Sequence, residues 1–223
     1  MICLQNHDQV GNRAFGERLT TLADPQALRA ATALLLLAPQ VPLLFMGEEW
    51  GSTQPFLYFT DYANLRNGEL AAAVREGRRR EFAGFGGFEG ADDGAAIPDP
   101  NAAETFRSSV PDFAAVATAT GAERQAWTAR LLALRREHLV PRLHGTRALE
   151  AQVLGPAAVR ARWRLGDGCV LRIEVNLGGD AVQVPHQPRQ QLLFELQPGA
   201  AAALAAGQLR ARTLVAQLEQ APA

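Results

Sequence analysis

Lysine is missing from these 223 residues: all 22 basic side chains are arginine, set against 23 acids for a formal net charge of −1. No run of arginines stands clear of neighbouring acids, so the chain carries no electrostatic footprint for nucleic acid. The missing lysine reads as genomic base composition rather than function. Cysteine is nearly absent as well. Cys3 and Cys169 lie far apart, each inside an apolar stretch, and are expected to be small buried hydrophobes rather than a disulfide or a metal pair. The histidines His7, His138, His144 and His186 share no ligand spacing, so no zinc site is expected. No stretch of 18 uninterrupted apolar residues occurs, nor a charged segment leading into an apolar one at the start. No membrane association is expected, and the cytoplasm is the expected compartment. Charged residues make up 20% and hydrophobic ones 48%, enough for a sizeable core and against global disorder. The length exceeds one typical domain, and no internal repeat is visible.

What is present begins almost at once. Ile2-Cys3-Leu4 is a short apolar run of strand-forming length that opens into Gln5-Asn6-His7-Asp8-Gln9-Val10-Gly11-Asn12-Arg13, a cluster of amides, an imidazole, a carboxylate and a guanidinium. Asp24-Pro25 is a helix start, with apolar residues at helical spacing until Pro39. Val41 to Met46 is a continuous apolar run of the kind buried on both faces of a parallel sheet. Residues 1–46 thus read as one βαβ unit whose strands end in polar and aromatic loops, where α/β barrels place their ligands. Residues 63–120 form a long excursion holding the Arg78-Arg79-Arg80 run, read as a solvated helix face with Glu76 and Glu81 as partners. Thr120 and Glu123 predict a capping box for a helix to about Leu139. From Ala148 the period becomes two: strands at 158–165 and 169–177 flank a Gly166–Gly168 turn, with shorter ones at 181–186 and 191–197. Helix and strand are equally favoured over 200–219.

One βα pair cannot bury both faces of its strands, so the 41–46 run implies a barrel or large sheet of which this chain is a part.

The residues also carry a family likeness. Leu4 to Arg13 resembles the Asn-His-Asp region at the end of the seventh barrel strand in the alpha-amylase superfamily of glycoside hydrolases. With Gly16-Glu17-Arg18 it is similar in particular to the malto-oligosyltrehalose trehalohydrolase family. Pro42 to Gly51, Pro55 to Asp61, Val74 to Phe82, and Pro98-Asp99-Pro100 with Thr105-Phe106 carry the same likeness, collinear over roughly residues 1–140.

The resemblance implies an α/β plus all-β fold. The last two strands of a (β/α)8 TIM barrel (1–146) would precede a small antiparallel β-sandwich domain (147–223). It implies hydrolysis of the α-1,4 bond next to the terminal trehalose of maltooligosyl trehalose, releasing trehalose without metal or organic cofactor. It places Asp8 as transition-state stabiliser and the nucleophile and acid/base carboxylates in an N-terminal barrel portion, on the same gene or a separate chain, so this chain alone is expected to be inert. His7 would bind hydroxyls of the same sugar.

Gln5, Asn6 and Arg13 are expected as polar neighbours that bind substrate or tie the loop to the rim. Glu48 lines the pocket or pairs with rim arginines, and a structural role is expected for at least one of Glu48 and Glu49. Trp50 and Phe56 could stack on glucose rings, as could Tyr58 and Phe59, although aromatic side chains at this density are more often loop core. A branching or debranching enzyme of the same superfamily is an alternative, and a non-catalytic maltodextrin-binding module, resting on the antiparallel strands, is another.

Overall fold

A computed structural model describes residues 1–62, 68–82, 97–186, 188 and 190–220. The excursion expected over 63–120 falls partly outside them, at 63–67 and 83–96. In chain order come helices α1 (His7–Gly11), α2 (Leu19–Leu22), α3 (Pro25–Leu37), α4 (Gly68–Phe82), α5 (Ala103–Ser108) and α6 (Ala119–Leu134). Strands β1 (Arg147–Gly155), β2 (Ala158–Arg164), β3 (Val170–Asn176), β4 (Val182–Gln183) and β5 (Gln191–Glu195) follow, then helix α7 (Ala200–Ala205) and strands β6 (Gln208–Leu209) and β7 (Thr213–Glu219). They fall into two units: Met1–Leu4, Ala23–Leu43 and Ala122–Ala223 form one, Gln5–Leu22 and Leu44–Gly121 the other.

In the first unit, α3 starts where Asp24 Oδ1 accepts from the amides of Gln26 and Ala27, both at 3.0 Å. Its apolar stripe, Leu28, Leu35 and Leu36 among it, is buried and packs on β3 and β7. The helix stops at Pro39, as the missing N–H requires. Its last carbonyls and those just beyond are then satisfied from far along the chain. Arg135, 7% exposed in a π-helical turn after α6, donates to the carbonyls of Leu36 at 3.1 Å, Ala38, Pro39 at 3.2 Å and Gln40 at 2.8 Å. A guanidinium has five donors, which is why one side chain can close a helix end this completely.

The antiparallel part is one five-stranded sheet, β1-β2-β3-β7-β5, with a two-stranded β4-β6 ribbon, rather than the expected sandwich. The stretch 200–219 resolves into both alternatives: its alanines form α7 and its β-branched end forms β7. Helix α7 and the ribbon bury Ala158, Val184, Leu204, Leu209 and Val215 on part of one sheet face. Elsewhere that face is polar yet enclosed: Arg160 and Arg172 flank the fully buried Glu174 at 2.8 and 3.0 Å. Period two thus marks two buried faces here, one apolar and one ionic.

The expected pair of parallel strands shortens to a single parallel bridge between Ile2 and Pro42, held by Ile2 N donating to Val41 O at 3.0 Å and Leu43 N to Ile2 O at 2.8 Å. The direction is as expected, but no ladder extends beyond it and no closed barrel is seen among the described residues. The run written for burial is open at its two ends, Val41 being 63% and Met46 42% exposed, whereas Phe45 within it is buried.

The second unit is built of loops, short helices and the 15-residue α4, and within it Arg18 is 1% exposed. Arg18 Nε donates to Gln54 O at 2.5 Å and Nη1 to Met46 O at 2.7 Å, with its guanidinium over the Phe45 ring. Burial pushes its pKa down, opposed by Glu48 and Glu49. At the start of α6, the expected Thr120–Glu123 box gives way to Thr118, whose Oγ1 accepts from Gly121 N at 3.1 Å. Glu123, in the first unit, instead pairs with Arg29 at 3.0 Å.

Candidate functional site

The polar cluster that follows the first strand segment is a helix start, not an open loop. Asn6 adopts an extended backbone and its Oδ1 accepts from Gln9 N at 2.8 Å, capping the five-residue α1. An asparagine before a polar first turn is a strong N-cap, which is why these residues coil rather than extend. His7 and Asp8 therefore sit in the first turn with side chains 73% and 72% exposed, His7 Nε2 lying 3.3 Å from Asp8 Oδ1. A carboxylate at that position suits the positive end of the peptide dipoles.

Opposite them run Phe56, Leu57, Tyr58 and Phe59, which with His7, Asp8, Gly11 and Asn12 enclose a hollow of about 200 Å³. Phe56 meets Phe45 edge-on at 5.2 Å and Phe59 at 5.7 Å. Its height is set by Gly16, whose carbonyl accepts from Phe56 N at 2.9 Å. Gly16 has φ +61°, and a Cβ there would stand 2.4 Å from Phe56 O, so only glycine admits the approach.

The structure thus brings His7, Asp8 and Phe56 to one hollow and uses the other expected residues behind it. Gln5, 3% exposed, spends both amide atoms: Nε2 donates to Glu48 Oε1 at 3.1 Å and Oε1 accepts from Leu19 N at 2.7 Å. The second Glu48 oxygen accepts from Phe45 N at 2.6 Å. Burial raises the Glu48 pKa, and the bonds from Gln5 and Phe45, with the charge of Arg18, work against that rise. Glu49 accepts from Gly47 N at 3.0 Å, closing the turn after the 41–46 run. Arg13 donates to the Glu17 carbonyl. Trp50 is 6% exposed and packs against Phe113 at 5.7 Å between ring centroids, which makes it core.

Arg78 departs from the sequence expectation. It is not on a solvated face: it is 8% exposed, and Nη2 donates to the carbonyls of Gly11 at 3.2 Å and Arg13 at 3.1 Å. It pairs with Glu81 at 2.9 Å and lies over the rings of Tyr58 and Phe82. Arg79 and Arg80 are exposed. The signal lies in the helical period, since Ala71, Arg78 and Phe82 share the buried stripe of α4.

An exposed carboxylate and imidazole beside an aromatic ring can hydrogen-bond hydroxyls of a polyol whose C–H face rests on the ring. Alone they cannot carry out retaining glycoside hydrolysis, which takes two carboxylates about 5 Å apart. Among the described residues, Asp8 is the one carboxylate in the lining of this hollow. Among them, too, no group of His, Cys, Asp and Glu is arranged to hold a metal ion, and no helix is long and apolar enough to cross a membrane.

The chain is similar to several known proteins. Residues 146–217 match the family described as Domain of unknown function (DUF3459). The chain is 47% identical over 145 residues to malto-oligosyltrehalose trehalohydrolase of Deinococcus radiodurans, covering 64% of this chain and 22% of the relative. It is 34% identical over 193 residues to the enzyme of that name from Mycobacterium tuberculosis, covering 85% of this chain and 30% of the relative. A crystal structure of a Salmonella typhimurium protein described as an alpha amylase superposes with a TM-score of 0.80 at 39% identity, over 98% of this chain and 35% of that one. Trehalulose synthase, 16% identical with a TM-score of 0.57, shares the fold. The chain spans less than a third of the length of the two trehalohydrolases.

Proposed function

We propose that this chain, which is similar to malto-oligosyltrehalose trehalohydrolases, corresponds to their C-terminal portion and supplies part of the glucan site of such an enzyme. In the whole enzyme the reaction is hydrolysis of the α-1,4 bond beside the terminal trehalose of maltooligosyl trehalose, releasing trehalose. The observation that carries this reading is the open pairing of His7 and Asp8 against Phe56, at the residues that match the superfamily's Asn-His-Asp region. Asp8 stabilises positive charge developing at the anomeric carbon, since a fixed carboxylate contributes most where charge appears in the transition state. His7 holds hydroxyls of the same glucose ring. Gln5, Asn6, Arg13 and Glu48 keep the loop in place, and Phe56 offers the stacking face.

The nucleophile and the acid/base carboxylate belong to barrel segments outside this chain, on the same gene or a separate polypeptide, and residues 1–146 serve as the end of that barrel with 147–223 as the β-domain. Two features support a covering segment. Val41 is left open. An almost wholly apolar groove of about 360 Å³, lined by Ile2, Leu34, Trp163, Ile173 and Val175 among others, opens on the sheet. A cytoplasmic setting fits the soluble substrate. The test is incubation of the 223-residue chain with maltooligosyl trehalose: no trehalose above the uncatalysed rate is expected, and release at an enzyme-like rate would overturn the division of labour.

A further inference from the structure

The face of the five-stranded sheet that carries α7 also holds a groove of about 290 Å³, just below the ~300–1,000 Å³ range that takes drug-sized ligands and so fitted to a small one. Leu192 on β5 and Gln217 on β7 stand opposite each other in the ladder and form its floor. Ala201 and Ala202 of α7 form a low wall. Gln217 is 3% exposed, and its amide has one possible direction. Arg172 Nη2 lies 2.6 Å from Gln217 Oε1. A guanidinium only donates, so the oxygen faces it and Nε2 faces away. Arg172 is itself held by Glu219 at 3.2 Å and Glu174 at 3.0 Å. Gln217 Nε2 meets no acceptor among the described residues and is left to the groove.

The rest of the lining selects an uncharged ligand. Glu195 is its one carboxylate among the described residues, and both oxygens are already engaged, accepting from Gly199 N at 3.0 Å and Ala201 N at 2.9 Å. No cation lines the groove among the described residues, so nothing there favours a phosphate or carboxylate. Gln190 adds a second amide, and Leu192, 46% exposed, an apolar shoulder. Fixed neutral donors beside an apolar surface suit the hydroxyl oxygens of a polyol. A peptide strand is the other neutral candidate. It would pair along the open edge of β5, but the register shifts between Leu192 and Phe194, and a bulge breaks the row of groups that an added strand needs.

From this geometry we propose that the groove between β5, β7 and α7 is a maltodextrin-binding site on the sheet, in which Gln217 Nε2 and the Gln190 amide hydrogen-bond sugar hydroxyls. Arg172 is a positioning residue for Gln217. The groove shares no lining residue with the His7–Asp8 hollow among the described residues. The proposal rests on the maltodextrin reading above, and its test separates the two.

In amide-resolved NMR of the 223-residue chain titrated with maltoheptaose, Leu192, Gly199, Ala201 and Ala202 are expected to shift at millimolar sugar. Gln217→Glu keeps an acceptor for Arg172 and exchanges the groove's donor for a second oxygen, so it should weaken binding at these amides about tenfold, the size of one lost hydrogen bond. Gln190→Ala, at a position outside the strand, should weaken it in the same direction. Shifts at His7 to Asn12 should keep their concentration dependence in both variants, and far-ultraviolet circular dichroism checks that both fold. Shifts confined to His7–Asn12, unchanged groove affinity in the folded variants, or equal groove shifts with tetra-alanine would remove the site and leave the maltodextrin reading standing. Groove shifts with none at His7–Asn12 would keep the site and count against that reading of the hollow. No shift anywhere would remove both.

Discussion

Arg78 donates to the carbonyl oxygen of Gly11 at 3.2 Å, across 67 residues of chain, and so fixes the end of the helix that presents His7 and Asp8. The same nitrogen reaches Arg13 O, while the guanidinium carbon lies 4.9 Å from the centre of the Tyr58 ring, a wall of the hollow. Arg78→Ala would leave two carbonyls without their donor and Glu81 without its partner. A loss of about 2–4 kcal/mol is expected in chemical denaturation. Arg78→Lys should recover less than half, because a single ammonium cannot serve both carbonyls and Glu81 while also lying over the ring. A change within ~0.5 kcal/mol for Arg78→Ala, the size of an ordinary surface substitution, would return Arg78 to the solvated face.

Gly16→Ala tests how Phe56 is held. The left-handed backbone and the 2.4 Å approach to Phe56 O act together, and at least ~2 kcal/mol should be lost. Near-ultraviolet circular dichroism should show the aromatic contacts of Phe56 disturbed. A variant as stable as the parent would mean that the chain takes another path at Phe56.

Two carboxyls should make the stability depend on pH with opposite sign. Burial raises the Glu48 pKa above its unfolded value, so its contribution is full below the unfolded pKa and is lost as pH rises through the folded one. Glu48→Gln should therefore gain on the parent as pH rises through and above the ordinary glutamate range. At Asp99 burial pushes upward, but hydrogen bonds from Asn101 and Arg75 prevail and hold the pKa below its ordinary value. Its contribution is present above the unfolded pKa and lost as pH falls through the folded one. Asp99→Asn should be weaker than the parent near neutrality and approach it in acid. Denaturation midpoints at several pH values decide this, and slopes of the same sign for the two variants would contradict it.

Where the sequence speaks clearly, one local rule governs each element. Asp24-Pro25 starts α3 because the cap and the fixed proline φ act within three residues, and the alternation in β2 and β3 follows from pairing with each other. What is not legible depends on distant partners. Arg78 looks like its neighbours Arg79 and Arg80 until the carbonyls of Gly11 and Arg13 come under it. Gln5 and Glu48 read as polar rim residues, yet each meets the other and a backbone amide. Asn6 is a candidate substrate ligand by sequence, and its geometry is that of a helix cap. Thr118 takes the cap from Thr120 because a shift of about two residues in a helix start costs nothing in the apolar pattern. At Val41 and Met46 the sequence reports burial that the described residues do not provide.

The most direct trial is a chimera. This chain's residues 1–140 replace the homologous segment of the Deinococcus radiodurans relative, and trehalose release from maltooligosyl trehalose is measured with and without Asp8→Asn. The chimera should release trehalose, and Asp8→Asn should lower kcat by about 10²–10³, the loss typical of a group that stabilises transition-state charge, with KM changed little. An Asp8→Asn chimera as active as its parent would contradict the placing of Asp8 at the reacting glucose.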